Sequence, residues 1–340
     1  MIAKNDRGNA RIEFEFVRAT ETAAVAAGRL VGRGDKNGID QLAVDAMRAA
    51  LSDVDVDGTV VIGEGEKDQA PMLFHGERLG TGDGPALDIA VDPIDGTTLA
   101  SKGGAGAISV VAAATRDSLF RTRVPYMNKI VVGAKARGSV SLDADVGSNV
   151  LAVARALGRA PGEITVALLD RPRNEQILRE IREVGARTRV FSDGDVATAI
   201  IAVLEDRGRL DMLMGIGGSP EGVLTACAVK ALGGNMQGRL WLRDDGDREI
   251  AREEDIDPDA LLTLNDLCRS DYALLAATGV TDGELLGGVR YGHAFAYTES
   301  IIVSTFTHTM RTLTTKHDLD PRTHFARVTQ HAPELAAEVA

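Results

Sequence analysis

ITVALLDRPRNEQILREIREVGARTRVFSDGDVATAI, residues 164–200, alternates short apolar runs with longer segments of helical period. ITVALLD reads as a strand, the segment over roughly 174–184 as a helix, TRVFS as a second strand and roughly 195–205 as a second helix. LDMLMGI continues the rhythm with a strand, and a helix follows from Glu221. Strands that alternate with helices build a partly parallel sheet covered by helices, so the fold class is α/β with mixed character. Ligands of such sheets gather at the carboxyl ends of strands, where loops enter helices. Polar residues stand at four of these exits: Asp92-Pro-Ile-Asp95, Asp170-Arg171-Pro172-Arg173, Asp193-Gly194-Asp195 and Gly215-Ile-Gly-Gly-Ser-Pro-Glu221.

Upstream the rhythm differs. IDQLAVDAMRAAL places Ile39, Leu42, Ala43, Ala46, Met47, Ala50 and Leu51 on one stripe at helical period, with Asp45 and Arg48 turned away. Residues 11–30 form a second helix, and Thr59–Ile62, Leu87–Val91, Ala107–Ala113 and Lys129–Val132 read as strands. LGRAPGE, a Gly/Pro break near residues 155–160, separates the two rhythms. The break sets the expected domains, one lobe over 1–158 and an α/β lobe over 159–340.

Composition narrows the function classes. A chain of 340 residues with 44% hydrophobic and 26% charged residues is an ordinary globular protein, large enough for two lobes. Lys and Arg total 38 against 50 Asp and Glu, a formal net charge of −12. With no long basic run, neither nucleic acid nor an anionic membrane is an expected partner, and small-molecule chemistry moves ahead. The N-terminal MIAKNDRGNARIEFEF carries charge where a signal peptide needs an apolar core, and no window offers a membrane span, so a cytoplasmic location is expected. Cys227 and Cys268 are too few and too far apart for a disulfide framework or zinc site, and Cys227 reads as a core residue. The six histidines form no HExxH, there is no GxSxG elbow, and neither a P-loop nor a spaced GxGxxG is present.

The acidic residues carry the chemistry. If Val91 ends a strand and Pro93-Ile94 makes a turn, Asp92 and Asp95 project into one space, and Gly96 lets a ligand approach the backbone. Paired carboxylates suit hard divalent cations such as Mg²⁺ or Mn²⁺, whereas an Asp-rich turn with capping aspartates is the plainer reading. Glu64, Glu66 and Asp68 alternate after a strand, as metal ligands or a solvated acidic loop both would. Asp40, beside Asp35 and Lys36, opens the amphipathic helix and reads on its own as a cap. Arg171 and Arg173, around the stiffening Pro172, suit phosphate oxygens. Asp193 and Asp195 can accept from sugar hydroxyls, and the glycines before Glu221 can expose amides to a phosphate or sugar. Turns and caps explain each of these second-half motifs equally well.

DPIDGT together with GEGE resembles the signature of the metal-dependent, lithium-sensitive phosphatase superfamily of inositol monophosphatases and fructose bisphosphatases. GRGDKNGID, VIGEGEKDQAPML, DIAVDPIDGTT, YMNKIVVG, LDRPR, DGDVA, GIGGSPEG and ATGVTDGELL follow the order found in the class II, bacterial-type fructose-1,6-bisphosphatase family. The resemblance spans roughly residues 10–315 and implies a layered αβαβα sandwich with two lobes. It implies metal ligation by Asp40 and Glu64 for one ion and by Asp92, Asp95 and Glu221 for another, with two or more Mg²⁺ or Mn²⁺ ions per site. It also implies substrate contacts from Asp95, Gly96, Thr97, Tyr126, Arg171, Pro172, Arg173, Asp193, Gly194, Asp195 and Gly218. Some family members carry Glu at the position of Asp95, a reach longer by one methylene.

What the resemblance implies functionally is hydrolysis of the 1-phosphate of fructose 1,6-bisphosphate, a gluconeogenic reaction, in a homodimer or homotetramer. Glu64, Asp92 and Thr97 are the expected catalytic residues, with Glu64 and Thr97 orienting the attacking water. The alternatives are a sedoheptulose-1,7-bisphosphatase or dual-specificity enzyme, an inositol monophosphatase-like enzyme, and a catalytically silent sugar-phosphate-binding protein. Asp88 is left as a group supporting the ligands.

Overall fold

The computed structural model describes residues 6–65, 73–204 and 210–330. The chain runs through α1 (Asp6–Gly28), α2 (Lys36–Ser52), β1 (Asp57–Ile62), β2 (Arg78–Leu79), β3 (Ala86–Asp95), α3 (Thr97–Lys102), β4 (Ile108–Thr115), β5 (Tyr126–Val132) and α4 (Val146–Leu157). It continues with β6 (Thr165–Leu169), α5 (Glu175–Glu183), β7 (Arg187–Phe191), α6 (Asp195–Val203), β8 (Met212–Gly218), α7 (Ser219–Ala231), β9 (Asn235–Leu240) and α8 (Asp245–Glu253). The last elements are β10 (Leu262–Thr263), α9 (Leu264–Leu267), β11 (Ala273–Gly279), β12 (Arg290–Tyr291), β13 (Phe295–Ser304), β14 (Thr309–Asp318) and α10 (His324–Gln330). The mixed α/β class expected from the sequence is the one found.

These elements form two compact units, drawn from the described residues of Met1–Asp117, Leu274–Val303 and Met310–Ala340, and of Ser118–Ala273 and Ser304–Thr309. The boundary expected at residues 158/159 lies inside the second unit. Gly158, with φ +65°, is the left-handed C-cap of α4, and Pro161–Glu163 is a short 3₁₀ turn leading into β6. Gly and Pro stop a helix for local backbone reasons, and such a stop cannot be told from a linker by composition alone.

In the first unit a mixed sheet has the order β12-β13-β11-β4-β3-β1-β2, with β14 also paired to β13. Helix α2 buries Ile39, Ala43, Val44, Ala46, Met47, Ala50 and Leu51, close to the stripe expected, with Val44 replacing Leu42 among the buried positions. Its larger aliphatic residues, Ile39, Met47 and Leu51, each stabilise the packed state by about 1.5–3 kcal/mol.

Helix α1 meets the far strands of this sheet through a buried polar cluster. Glu21 Oε1 accepts from Thr315 Oγ1 at 2.6 Å, Ser300 Oγ at 3.3 Å and Thr298 Oγ1 at 3.4 Å. Thr298 Oγ1 also shares a 2.8 Å hydrogen bond with His317 Nε2, whose ring stacks on Phe325. Burial pushes Glu21 up and pushes His317 down to about 4. A histidine that resists protonation in the fold stabilises it fully above its ordinary value near 6.5; that contribution is lost as pH falls from there toward 4. The raised Glu21 acts with the opposite sign, so the two partly offset in the wild type. His317→Gln removes only the histidine contribution. Denaturant titrations at pH 7.5 and pH 4.5 are expected to show a drop in stability larger in the wild type than in His317→Gln by about 2–3 kcal/mol.

The second unit has a sheet of order β10-β9-β5-β8-β6-β7. β6 runs parallel to β7 and β8, and β5 runs antiparallel to β8 and β9, so the sheet is partly parallel as the rhythm of 164–200 predicts. One face, with Ile130, Val132, Val166, Leu168, Met212 and Met214, packs under α4 and α5. Alternation puts Met127, Lys129 and Val131 on the opposite face, toward α6 and α7. Cys227 and Cys268 are both buried free thiols, and hydrogen bonding from Cys268 together with burial raises Cys227 well above its ordinary value. No helix among the described residues is long and apolar enough to cross a membrane.

Candidate active site

The strand carrying Asp92 does not end at Val91, as the sequence suggested, but continues to Asp95. Asp92 pairs with Val110 and Asp95 with Ile108, three steps along β3 against two along β4. One residue is therefore extra on β3, a bulge that accommodates Pro93, which has no N–H for the ladder. Its consequence is parity. Residues three apart in a regular strand face opposite sides, but Val110 and Ile108 share a side, so their partners Asp92 and Asp95 share one too. Asp92 is half-buried there and Asp95 is 3% exposed.

Parallel pairing brings a third carboxylate to the same edge. The last paired residue of β1, Ile62, stands opposite Ala90, so Glu64 leaves β1 level with Asp92 two residues on. The Glu64 amide is tied to Leu73 O at 3.0 Å, and an added Cβ at Gly63 would stand 2.0 Å from the same oxygen. Glu66 and Asp68 lie outside the described residues.

After Asp95, Gly96 takes φ +96°, a left-handed conformation that starts α3 at Thr97. Thr97 Oγ1 donates to Ile94 O at 3.0 Å, which leaves the hydroxyl oxygen as an acceptor. The loop before α2 docks on α3 through Gly32 N to Ala100 O, 3.0 Å, and Gly34 N to Ser101 O, 2.8 Å. Asp35 caps α2 by accepting from Gly38 N at 2.8 Å. Asp40 is therefore not the cap; it is half-buried in the first turns, where burial pushes its carboxyl up and Lys36 pulls it back. Asp88 has a separate fate, being fully buried with the Arg116 guanidinium 3.9 Å away.

The second unit gathers the remaining candidates around one end of β5 and β8. Tyr126 and Gly218 are register partners. Arg173 donates from Nε to Ile216 O at 3.1 Å, and its guanidinium lies 4.4 Å from the centre of the Tyr126 ring. Arg171 is half-exposed and donates to Asp170 O at 2.9 Å; Pro172 opens a 3₁₀ turn. Gly194, with φ +88°, is the N-cap of α6. Asp193 is half-exposed, whereas Asp195 is 5% exposed and ion-paired with Lys129.

Lys129 is a residue the sequence reading passed over. The apolar run places it at the start of a strand, but β5 begins at Tyr126, so Lys129 is interior and 1% exposed. Its Nζ donates to Gly218 O at 3.0 Å as well as contacting Asp195. A charged residue within the apolar run YMNKIVV was the available signal, since an interior strand position buries whatever it holds.

The glycines of GIGGSPEG have packing roles. A Cβ at Gly215 would meet Asn174 at 2.9 Å, one at Gly217 would meet Asp195 at 2.3 Å and Lys129 at 2.8 Å, and one at Gly218 would meet Glu221 at 1.8 Å. The N–H of Ile216 goes to Asn174 Oδ1 at 2.8 Å and that of Ser219 to Pro125 O at 3.0 Å. These two amides are thus engaged within the fold and do not face a ligand. Glu221, in the first turn of α7, keeps Oε2 buried with no hydrogen-bond partner. Burial pushes its carboxyl up, Lys129 holds it down, and Asp195 and Asp193 push it further up.

Among the described residues no group of three or more His, Cys, Asp and Glu side chains is gathered as a metal centre. Each candidate nevertheless offers the oxygen donors that a hard divalent cation takes, and in the second unit Glu221 holds a buried carboxylate oxygen that no protein donor satisfies.

Residues 10–317 match the family model described as bacterial fructose-1,6-bisphosphatase, glpX-encoded. The chain is 42% identical over 322 residues to the fructose-1,6-bisphosphatase 1 class 2 of Escherichia coli strain K12, covering 91% of this chain and 96% of that protein. The fructose-1,6-bisphosphatase class 2 of Shigella flexneri shows the same 42% identity over the same 91% and 96%.

Proposed function

The chain belongs to the glpX-encoded bacterial fructose-1,6-bisphosphatase family, and on that premise we propose that it hydrolyses the 1-phosphate of fructose 1,6-bisphosphate with a divalent metal at Asp92 and Asp95. The observation that carries the reading is the β3 bulge, which turns two carboxylates to one side of the sheet at a strand end. Asp40, Glu64, Asp92, Asp95 and Glu221 would hold the metal, and their all-oxygen donor set suits Mg²⁺ or Mn²⁺. A divalent ion in such a set acidifies water and offsets the negative charge of the phosphoryl oxygens.

The chain's own groups do the rest. Because the Thr97 proton is committed to Ile94 O, the Thr97 oxygen accepts one hydrogen of the attacking water, and the Glu64 carboxylate accepts the other. With both hydrogens fixed, a lone pair of the water is free for phosphorus. Arg171 and Arg173 hold the phosphate that is not cleaved, so that its binding energy positions the one that is. Tyr126 and Asp193 meet the sugar, while Gly96, Pro172, Gly194, Asp195 and Gly218 shape the backbone around it.

The test is phosphate release from fructose 1,6-bisphosphate, sedoheptulose 1,7-bisphosphate and inositol monophosphate with added Mg²⁺ or Mn²⁺, and again in chelator. Fructose 1,6-bisphosphate is expected to turn over fastest, with no release in chelator. Faster release from inositol monophosphate, or robust turnover in chelator, would refute the assignment, and silence on every substrate would leave a binding protein.

A further inference from the structure

Tyr126 carries two guanidinium groups on one ring. Arg173 Cζ lies 4.4 Å from the ring centre and Arg243 Cζ lies 5.6 Å from it. The edge of the ring is also met by Trp241, at 6.1 Å between centroids and 77° between planes. Strand pairing builds this arrangement: Trp241 N donates to Tyr126 O at 3.0 Å, so Trp241 stands beside Tyr126, and Arg243 follows two residues later. Neither Trp241 nor Arg243 figures in any motif of the sequence.

Two cations sharing a ring repel each other, and the fold treats them differently. Arg173 donates to the neutral carbonyl of Ile216. Arg243 is clamped to Asp247, with Nε to Oδ2 at 2.9 Å, Nη2 to Oδ1 at 2.8 Å and its backbone N to Oδ2 at 2.8 Å. Asp247 is itself 1% exposed, and the guanidinium holds its carboxyl below the usual range. The Nε–Nη2 edge of Arg243 is thereby fixed, while 47% of the side chain remains exposed and Nη1 takes no part in the clamp. The clamp leaves the Nη1 edge of Arg243 as an oriented donor at the Tyr126 ring, with Asp244 as a further carboxylate near the guanidinium.

We propose that Arg243 is a specificity-determining residue which, with Arg173, seats the substrate phosphate that is not cleaved. This rests on the fructose-1,6-bisphosphatase reading above. A phosphate has three terminal oxygens and can accept from two planar forks, for which guanidinium is better shaped than ammonium. Tyr126 spaces the forks, and the Asp247 clamp orients one of them before the ligand arrives, so little side-chain freedom is lost on binding. The plainer role for Arg243 is to brace the first turn of α8, where Asp247 sits. That role affects stability and is blind to which phosphate a ligand carries.

The two roles separate in Arg243→Met and Arg243→Lys variants of the full chain. The readouts are KM and kcat for fructose 1,6-bisphosphate, inhibition constants for fructose 6-phosphate and fructose 1-phosphate, and the thermal midpoint. Arg243→Met is expected to raise KM and the fructose 6-phosphate constant roughly tenfold or more, with kcat nearly unchanged, and to leave the fructose 1-phosphate constant as it was. Arg243→Lys, which keeps charge without the fork, recovers part of the loss. Equal weakening of both monophosphates, or weakening of neither, overturns the proposal. A wild-type protein inert toward fructose 1,6-bisphosphate would sink the activity reading instead, and calorimetric binding of the two monophosphates would still judge Arg243.

Discussion

Asp92→Asn is expected to lower kcat for fructose 1,6-bisphosphate by roughly a thousandfold or more at any metal concentration, while leaving the thermal midpoint unchanged or raising it. The substitution keeps the shape of the side chain, removes its charge and turns one acceptor oxygen into an NH2 donor. At the β3 bulge that charge shares a side of the sheet with Asp95, three residues on and nearly buried, and Glu64 leaves β1 alongside. Like charges brought together in a poorly hydrated place cost stability in the metal-free protein, so removing one relieves the fold. The same removal deprives the metal site of a ligand and the phosphoryl group of charge compensation, a loss that added metal cannot restore. Steady-state kinetics over a metal titration, paired with thermal unfolding, checks both halves. A kcat within tenfold of wild type would remove Asp92 from the catalytic assignment.

The second large effect is on stability. Lys129→Met is expected to destabilise the protein by about 3–5 kcal/mol, because it leaves the buried Asp195 carboxylate without its cation. Burying the Lys129 ammonium is itself costly, and the pair persists because each charge satisfies the other while Gly218 O takes a further proton of the ammonium. Gly217 leaves the room for this, since any larger residue there would collide with both partners. The double variant Lys129→Met with Asp195→Asn removes both charges and is expected to recover most of the loss, because the penalty belongs to the unpaired carboxylate. Urea unfolding of the single and double variants measures this. A single variant within 1 kcal/mol of wild type, a threshold set by typical surface substitutions of about ±0.5 kcal/mol, would show that the buried Asp195 carboxylate does not depend on Lys129.

Much of the fold could be read locally. The strands and helices between residues 164 and 231, and the apolar stripe of α2, follow from hydrophobic period, which reflects only which face of an element is dry. The acidic and arginine motifs were legible as well, because carboxylates at strand exits and guanidiniums beside a proline are chemically distinctive wherever they occur.

Pairing was not legible. From the sequence, Asp92 and Asp95 looked like the two ends of a turn; their shared side comes from the partners Val110 and Ile108 across the ladder, which no local pattern specifies. Asp40 looked like a cap until Asp35 took that role, and Lys129 looked like a strand end until β5 was found to begin at Tyr126. The glycines before Glu221 looked like an anion cradle, and packing shows that three of them clear space for Asn174, the Lys129–Asp195 pair and Glu221. Local sequence thus specifies which side chains can bind metal and phosphate and which segments become strands or helices. Tertiary structure alone decided which of those side chains share a face, which are buried against a counter-charge, and that Arg173 and Arg243 meet on one aromatic ring, because these depend on register and packing between residues far apart in the chain.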